Sequence, residues 1–464
     1  MSSDFIVIGG GLVGAAVSYG LRRTGASVIM LDEGDTAFRA SRGNFGLVWV
    51  QSKGDGMHEY AAWSKKSSDL WPELASSLKE ETGIDVGHHR PGGLELCLDE
   101  DEFREFENSI ARMHNQPDVG ENGRRMIDGD EVRKLEPHVG PEVVGASYCP
   151  HDGVVNPLLT LRALHRQCKK TGVDYRPEHK TLSIGPDMDG FKVNTTKGSI
   201  TGHRVVLAAG NGNRELGQFV GLDIPVSPQR GHIVVTERVE PLFSHVLGQI
   251  RQTDEGTVML GATAEDVGFD TSFNFDMAAK IVDRAIRKVP ALKTLKLIRS
   301  WSALRIMSPD GFPIYEESSE FPGAFVVTCH SGVTLAAAHA LKLAPQLLEK
   351  TFNTSFAAFS PGGSMFNRLP NIIRKSITFY FDNEPIEALE GDTIASALLS
   401  AGVVDFRKSA LSDNKRGPYC LMGTCFECLL EVDGVTQQQT CLIEVKNNMR
   451  VCREETKRLI TNDS

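Results

Sequence analysis

The 464-residue sequence predicts a Rossmann-like α/β domain interleaved with an antiparallel-sheet (α+β) domain over residues 1–360, followed by a C-terminal β-grasp domain over residues 372–464. Three observations lead there. The apolar run Phe5-Ile6-Val7-Ile8 enters Gly9-Gly10-Gly11-Leu12-Val13-Gly14, the G-x-G-x-x-G pattern of a strand that turns tightly into a helix. Helical and strand-like stretches then alternate so that later strands return to that first sheet. Finally, Cys420, Cys425 and Cys428 show the spacing C-x4-C-x2-C, and Cys441 follows after twelve further residues.

In the first motif Gly9 allows the turn, Gly11 lets the backbone approach a pyrophosphate, and Gly14 lets the helix pack closely on the strand. Phosphates would rest on the free amides of that helix's first turn. The strand Ser27-Val28-Ile29-Met30-Leu31 ends in Asp32, 18 residues beyond Gly14. Its carboxylate is placed to accept from a ribose diol and disfavours a 2'-phosphate, so NADP is not expected. Residues 5–21 carry no charge, which also suits a secretory signal or a membrane segment. Asp4 and the lack of a basic leader argue against the signal, and three successive glycines suit a turn better than a span.

With 41% hydrophobic and 24% charged residues, the composition is that of a soluble chain of two or three domains. A net charge of -10 without a long basic run leaves no electrostatic footprint for nucleic acid or anionic lipid. Nine cysteines without a secretory signal point to a reducing compartment, hence a cytoplasmic location, and make clustered cysteines metal ligands.

In chain order, the first helix closes at Gly25. The loop Arg39 to Gly46 mixes small and polar residues. Residues 57–83 and 101–114 read as helices, and Pro91 to Leu98 as the first strand of the antiparallel sheet, with Gly145-Ala146-Ser147-Tyr148 and the strands near 231–236, 257–261 and 297–303 joining it. The helix 156–171 leads back to the first domain, whose next strand is Val205 to Gly210. Phe325-Val326-Val327-Thr328 is its last strand, followed by the turn His330-Ser331-Gly332 and a helix over 334–350. Breaker residues around Ser360-Pro361-Gly362-Gly363-Ser364 mark a linker, roughly 361–376. Beyond it, Ile377, Phe379 and Phe381 alternate along a strand, Asp382-Asn383-Glu384 turns it, and Asp392 or Thr393 caps a helix ending at Gly402. The four cysteines suit a plant-type [2Fe-2S] cluster. Structural zinc competes, but zinc sites pair two similar knuckles and this arrangement is asymmetric.

The first 350 residues resemble the D-amino acid oxidase-like (DAO) family of FAD enzymes, which includes glycine oxidase, sarcosine oxidase and flavin subunits of opine oxidase, hydrogen cyanide synthase and D-hydroxyproline dehydrogenase. Four stretches carry the likeness: Gly9 to Gly14 with Asp32; Ala40-Ser41 to Gly46; Ala208-Ala209-Gly210; and Trp301 to Ile314 with His330-Ser331-Gly332-Val333-Thr334. The resemblance implies FAD, held by Gly9, Gly11, Leu12, Val13, Gly14, Asp32, Ser41, Asn44, Gly46, Gly210, Gly332, Val333 and Thr334. No second G-x-G-x-x-G occurs, so a separate NAD site is not expected. Arg416 to Cys428 is similar to the small iron-sulfur domains of the same multi-subunit dehydrogenases, which implies Cys420, Cys425, Cys428 and Cys441 as cluster ligands and a larger flavoprotein subunit, another protein or a quinone as electron acceptor.

Arg305 aligns with the arginine that binds substrate carboxylate in glycine oxidase-like members, and a planar guanidinium fork matches a carboxylate. Read alone, an arginine in a strand is more often a surface or ion-pairing residue. Asp152-Gly153 and Asn156-Pro157 read first as a turn and a helix start. His58 and His232 are candidate pocket residues but more commonly structural ones. Cys97, Cys149, Cys168, Cys329 and Cys452 fit no ligand spacing. The expected activity is oxidation of the carbon-nitrogen bond of a small amino or imino acid, with electrons leaving through the cluster. The alternatives are a non-catalytic electron-transfer subunit and an amino-acid oxidase with a structural cluster.

Overall fold

The computed structural model describes residues 3–34, 40–116, 123–360, 374–408 and 415–453. The chain divides into two compact units, Met1–Phe359 and Ser360–Ser464. Arg39 and the linker residues 361–373 lie outside the described residues.

The first unit is built on a mixed sheet whose central strands are parallel. Its order is Ile314–Glu317, Ala324–Thr328, Gly198–Leu207, Ser3–Ile8, Val28–Leu31 and Asp174–Arg176. Phe5 and Val7 pack into one apolar cluster with Val28 and Met30, whereas Ile6 and Ile8 pack into another with Ile29 and Leu31. Both faces are therefore covered, which is why these strands read as unbroken apolar runs.

The helix Leu12–Arg23 begins at the turn and lies against the sheet. Gly14 decides how close it comes, since a Cβ there would stand 1.8 Å from the Gly9 carbonyl oxygen. Gly9 has φ +114°, and a Cβ on it would meet the Ala208 oxygen at 2.3 Å. At the other end, a Cβ on Gly20 would meet the Ala340 oxygen at 2.1 Å. Ala340 belongs to a π-helical turn, His339–Leu343, in the segment that runs from Gly332 to Gln346. That segment starts two residues earlier and ends four earlier than the 334–350 span expected from sequence.

The antiparallel region differs from expectation. Two sheets are present where one was anticipated: Ile250–Gln252, Thr257–Leu260, Ser227–Arg238 and Leu297–Met307 form one, and Gly93–Cys97, Gly145–Cys149 and Arg125–Asp128 the other. An isolated bridge pairs Gly93 of the second with Val246. Val246 lies in a connecting segment, so the pairing does not extend into a ladder. The hairpin Thr181–Asp187 and Gly190–Thr195, which extends the first half of Gly198–Leu207, was also not anticipated. Its signal is Ile184, Phe191 and Val193 around Asp189-Gly190.

In the second unit, five strands run in the order Glu384–Leu389, Ser376–Phe381, Arg450–Cys452, Leu429–Val432 and Val435–Gln439. Asp382 and Asn383 carry φ of 49° and 71°, as a two-residue hairpin turn requires. Thr393 is the cap of the helix Ile394–Ser400, accepting from the Ser396 amide at 3.2 Å, while Asp392 accepts from the Leu389 amide.

Gly14→Ala should destabilise the first unit by about 2–3 kcal/mol, because the opposing atom is backbone and cannot rotate away. Chemical denaturation followed by tryptophan fluorescence measures this, and an unchanged midpoint would contradict the packing described.

Candidate active site

The turn at Gly9 opens onto a cavity of about 990 Å³. Gly9, Gly11, Leu12, Val13, Asp32, Ser41 and Gly210 all line it, with Ala208 and Ala209 at the end of the neighbouring strand. Asp32 accepts from the Gly10 amide at 2.7 Å and the Gly34 amide at 2.8 Å. Ser41 caps the helix from a distance of 29 residues, its hydroxyl accepting from the Leu12 amide at 2.9 Å. A Cβ on Gly11 would lie 2.8 Å from that hydroxyl. The glycine thus keeps open the approach to the helix start. A dinucleotide fits this cradle of helix-start backbone, a carboxylate at the end of the neighbouring strand and a glycine lip.

A second cavity of about 300 Å³ adjoins the first, since Ala40, Leu304 and Ile306 line both. Asn44, Val333 and Thr334 line it, whereas Gly46 and Gly332 line neither. Asn44 accepts from the Gly46 amide at 2.7 Å and so shapes its own loop. Gly46, at φ +86°, lets the chain pass beside Arg251, whose Nη1 would be 1.9 Å from a Cβ there. Gly332 opens its helix beside Val13, whose side chain would lie 3.4 Å from a Cβ there. Thr334 accepts from the Trp49 amide at 3.0 Å, and its carbonyl takes hydrogen bonds from Ser67 and Trp71.

Arg305 stands in the wall of this second cavity, on the strand Leu297–Met307. One Nη1 hydrogen bond to the Thr263 carbonyl, at 2.6 Å, anchors it. Gly231 on the adjoining strand gives the guanidinium room, since a Cβ there would lie 2.6 Å from Nη2. Lys53 and His330 line the same cavity and were not singled out by sequence reasoning as binding groups. Burial pushes the Lys53 amine down to about 8, with Arg305 adding to the effect, and the His330 ring down to about 3, with Lys53 and Arg305 contributing. His330 is therefore neutral at physiological pH.

Several sequence candidates have structural roles here. Asp152 is fully buried and accepts from the Val50 and Gln51 amides and the Gln51 side chain. Burial raises its pKa to about 7 against those donors. Asn156 caps the helix Pro157–Lys170. His58 lines neither cavity and pairs with Glu59. His232 borders the second cavity, but its Nε2 accepts from the Asn274 amide, which leaves Nδ1 to donate to Thr263 or Glu265. Cys97, Cys149, Cys168 and Cys329 are buried, and burial pushes each thiol up to about 12. Cys452 is half-buried.

In the second unit, Cys420, Cys425 and Cys428 share one loop, and Cys441 adjoins Cys428. Among the described residues no three His, Cys, Asp or Glu side chains converge as ligands of one ion. The thiols instead associate in twos. The Cys425 amide donates to Cys420 Sγ at 3.3 Å, as do the Thr424 amide at 3.3 Å and the Met422 amide at 3.5 Å. The Thr424 side chain and these amides hold Cys420 down to about 5. Burial, with Cys428 beside it, pushes Cys441 up to about 11. Two pairs of thiols suit a binuclear cluster with two ligands on each iron.

A dinucleotide cradle beside a smaller cavity walled by an antiparallel sheet defines a flavoprotein of the amine-oxidising architecture. The chain belongs to the DAO family of FAD dependent oxidoreductases, whose model matches residues 4–346, and residues 374–456 match a 2Fe-2S iron-sulfur cluster binding domain. It is 40% identical over 361 residues to one of the subunits of opine oxidase from Agrobacterium tumefaciens strain Ach5, covering 77% of this chain and 96% of that one. It is 27% identical over 365 residues to glycine oxidase of Geobacillus kaustophilus, covering 77% and 96%. The crystal structure of glycine oxidase from Geobacillus kaustophilus superposes with a TM-score of 0.69 at 26% identity, covering 77% of this chain and 98% of that one. The protein is thus an FAD-dependent oxidoreductase carrying a 2Fe-2S domain. Among the described residues no helix is long and apolar enough to cross a membrane.

Gly11→Val should raise the dissociation constant for FAD at least roughly tenfold while leaving the cluster domain's absorbance unchanged, because the displaced Ser41 hydroxyl and the added side chain both obstruct the helix start. Flavin released by acid extraction, against iron content, gives the measurement.

Proposed function

We propose that this protein is a dehydrogenase that oxidises the carbon-nitrogen bond of a small amino or imino acid, of the D-hydroxyproline, opine, glycine or sarcosine type, and passes the electrons through its [2Fe-2S] cluster to an external acceptor. The observation that carries the reading is Arg305, a half-buried guanidinium in the wall of the smaller cavity with no carboxylate partner among the described residues. FAD, when bound, supplies a two-electron acceptor that no side chain offers. Arg305 holds the substrate carboxylate through its free N–H groups, which fixes the α-carbon relative to the adjoining cavity. The carbon-hydrogen bond breaks with both electrons leaving, the amine lone pair forms the C=N bond, and the imine is hydrolysed afterwards. Lys53 and Arg305, as cations lining the same cavity, favour the neutral form of the substrate amine, and neutral His330 adds no third charge to theirs. The kinship with a protein named as an oxidase subunit supports a partner subunit as acceptor.

Arg305→Lys should raise the substrate's apparent dissociation constant by roughly 10- to 100-fold with FAD still bound, since lysine keeps the charge without the planar fork. Anaerobic titration of flavin bleaching reads this, and an unchanged curve excludes Arg305 from carboxylate binding.

Cys425→Ser should leave flavin reduction by substrate nearly intact while slowing steady-state dye or quinone reduction by about tenfold or more, because the chemical step precedes the relay. Stopped-flow and steady-state rates together decide it: equal losses, or none, would sink the relay.

A further inference from the structure

We propose that the smaller cavity is built for a substrate with two carboxylates flanking its amine, Arg305 taking one and Lys53 the other. This rests on the reading of Arg305 as the first carboxylate site. Lys53 and Arg305 line the same cavity of about 300 Å³. Among the described residues neither forms an ion pair, whereas the enclosed Arg230 of the same unit is clasped by Glu265 and Asp270. Two like charges held in a small, partly desolvated space without counter-ions are unfavourable unless a ligand brings the negative charge. One carboxylate neutralises one of them.

The acids nearby are already committed. Asp152 contributes to the field at Lys53, but its oxygens are taken by the Val50 and Gln51 donors. Glu95 lines the cavity too, yet burial raises its pKa and the cations that offset this are chiefly Lys288 and Arg284. Lys53 is also held in place. Its amide donates to the Val50 carbonyl at 3.1 Å, Asp152 fastens Val50, and the next residue, Gly54 at φ +80°, is pressed on the Ala61 amide, which a Cβ would approach to 2.2 Å. The chain is therefore fixed immediately on both sides of the lysine.

The test uses full-length holoprotein under anaerobic conditions, with iminodiacetate and N-methylglycine as probes, which differ by one carboxylate on the same secondary amine. Binding is read from the perturbation or bleaching of flavin absorbance. Wild type should bind iminodiacetate roughly tenfold or more tightly than N-methylglycine. Lys53→Met should bring that ratio close to one, and Lys53→Arg should retain most of it. A wild-type ratio near one overturns the proposal, as does equal weakening of both probes by Lys53→Met, which would put the lysine's effect on the flavin or the loop. Should Lys53→Met lose FAD, the wild-type ratio and Lys53→Arg still decide. Failure of the underlying reading looks different: Arg305→Lys would then leave both probes unaffected.

Discussion

The contact on which the first unit depends is the backbone-to-backbone approach of the helix Leu12–Arg23 to the turn at Gly9. The Gly9 oxygen occupies the space that any side chain on residue 14 would need, and Gly9 itself fits against the Ala208 carbonyl. Gly20 repeats the arrangement at the far end against Ala340. A helix seated so closely at both ends presents its first turn at the carboxyl edge of the parallel strands, with the Leu12 amide already taken by Ser41. It also brings Val13 beside Gly332, so that segments more than 300 residues apart in sequence meet at the cofactor cavity.

Several buried polar groups of the first unit are fully engaged by neighbours. Asp152 is surrounded by donors, Glu136 accepts from the Ser244 and His245 amides, and His232 has both ring nitrogens engaged. Such groups contribute rigidity because leaving any one unsatisfied would cost about 1–3 kcal/mol. Arg305 and Lys53 have no carboxylate partner among the described residues and line one cavity, and cations so placed are the expected signature of a binding site.

The cluster loop solves a different problem. Leu421 and Phe426 adopt positive φ, of 53° and 57°, and Gly423 sits at +81°, so the chain curls around Cys420 and turns several amides toward its sulfur. N–H to sulfur hydrogen bonds of this kind favour thiolate and tune the potential of a bound cluster. The fold beneath it is an independent core of Phe379, Leu398, Phe406, Leu430 and Val451.

Much of this was legible in the chain because it depends on local geometry. A glycine pattern between a strand and a helix, an acid ending the next strand, an Asp-Asn turn, a helix cap at Asp392 or Thr393 and the C-x4-C-x2-C spacing are each set by neighbours within a few residues. Even the parallel core announced itself, since strands buried on both faces, such as Phe5 to Ile8, must be apolar throughout. What the tertiary structure alone decided were meetings between distant segments. The split of the antiparallel region into two sheets, with Gly93 bridged to Val246 of a connecting segment, is one. The distribution of Asn44, Gly46 and Gly332 between cavity wall and loop support is another, and so is the arrival of Lys53 beside Arg305. A lone lysine in a Gln-Ser-Lys-Gly turn carries no sequence signal for anion binding. Its role follows only from a loop clamped by Asp152, about a hundred residues away, because a binding site is defined by where unpartnered charges converge and not by the order in which the chain supplies them.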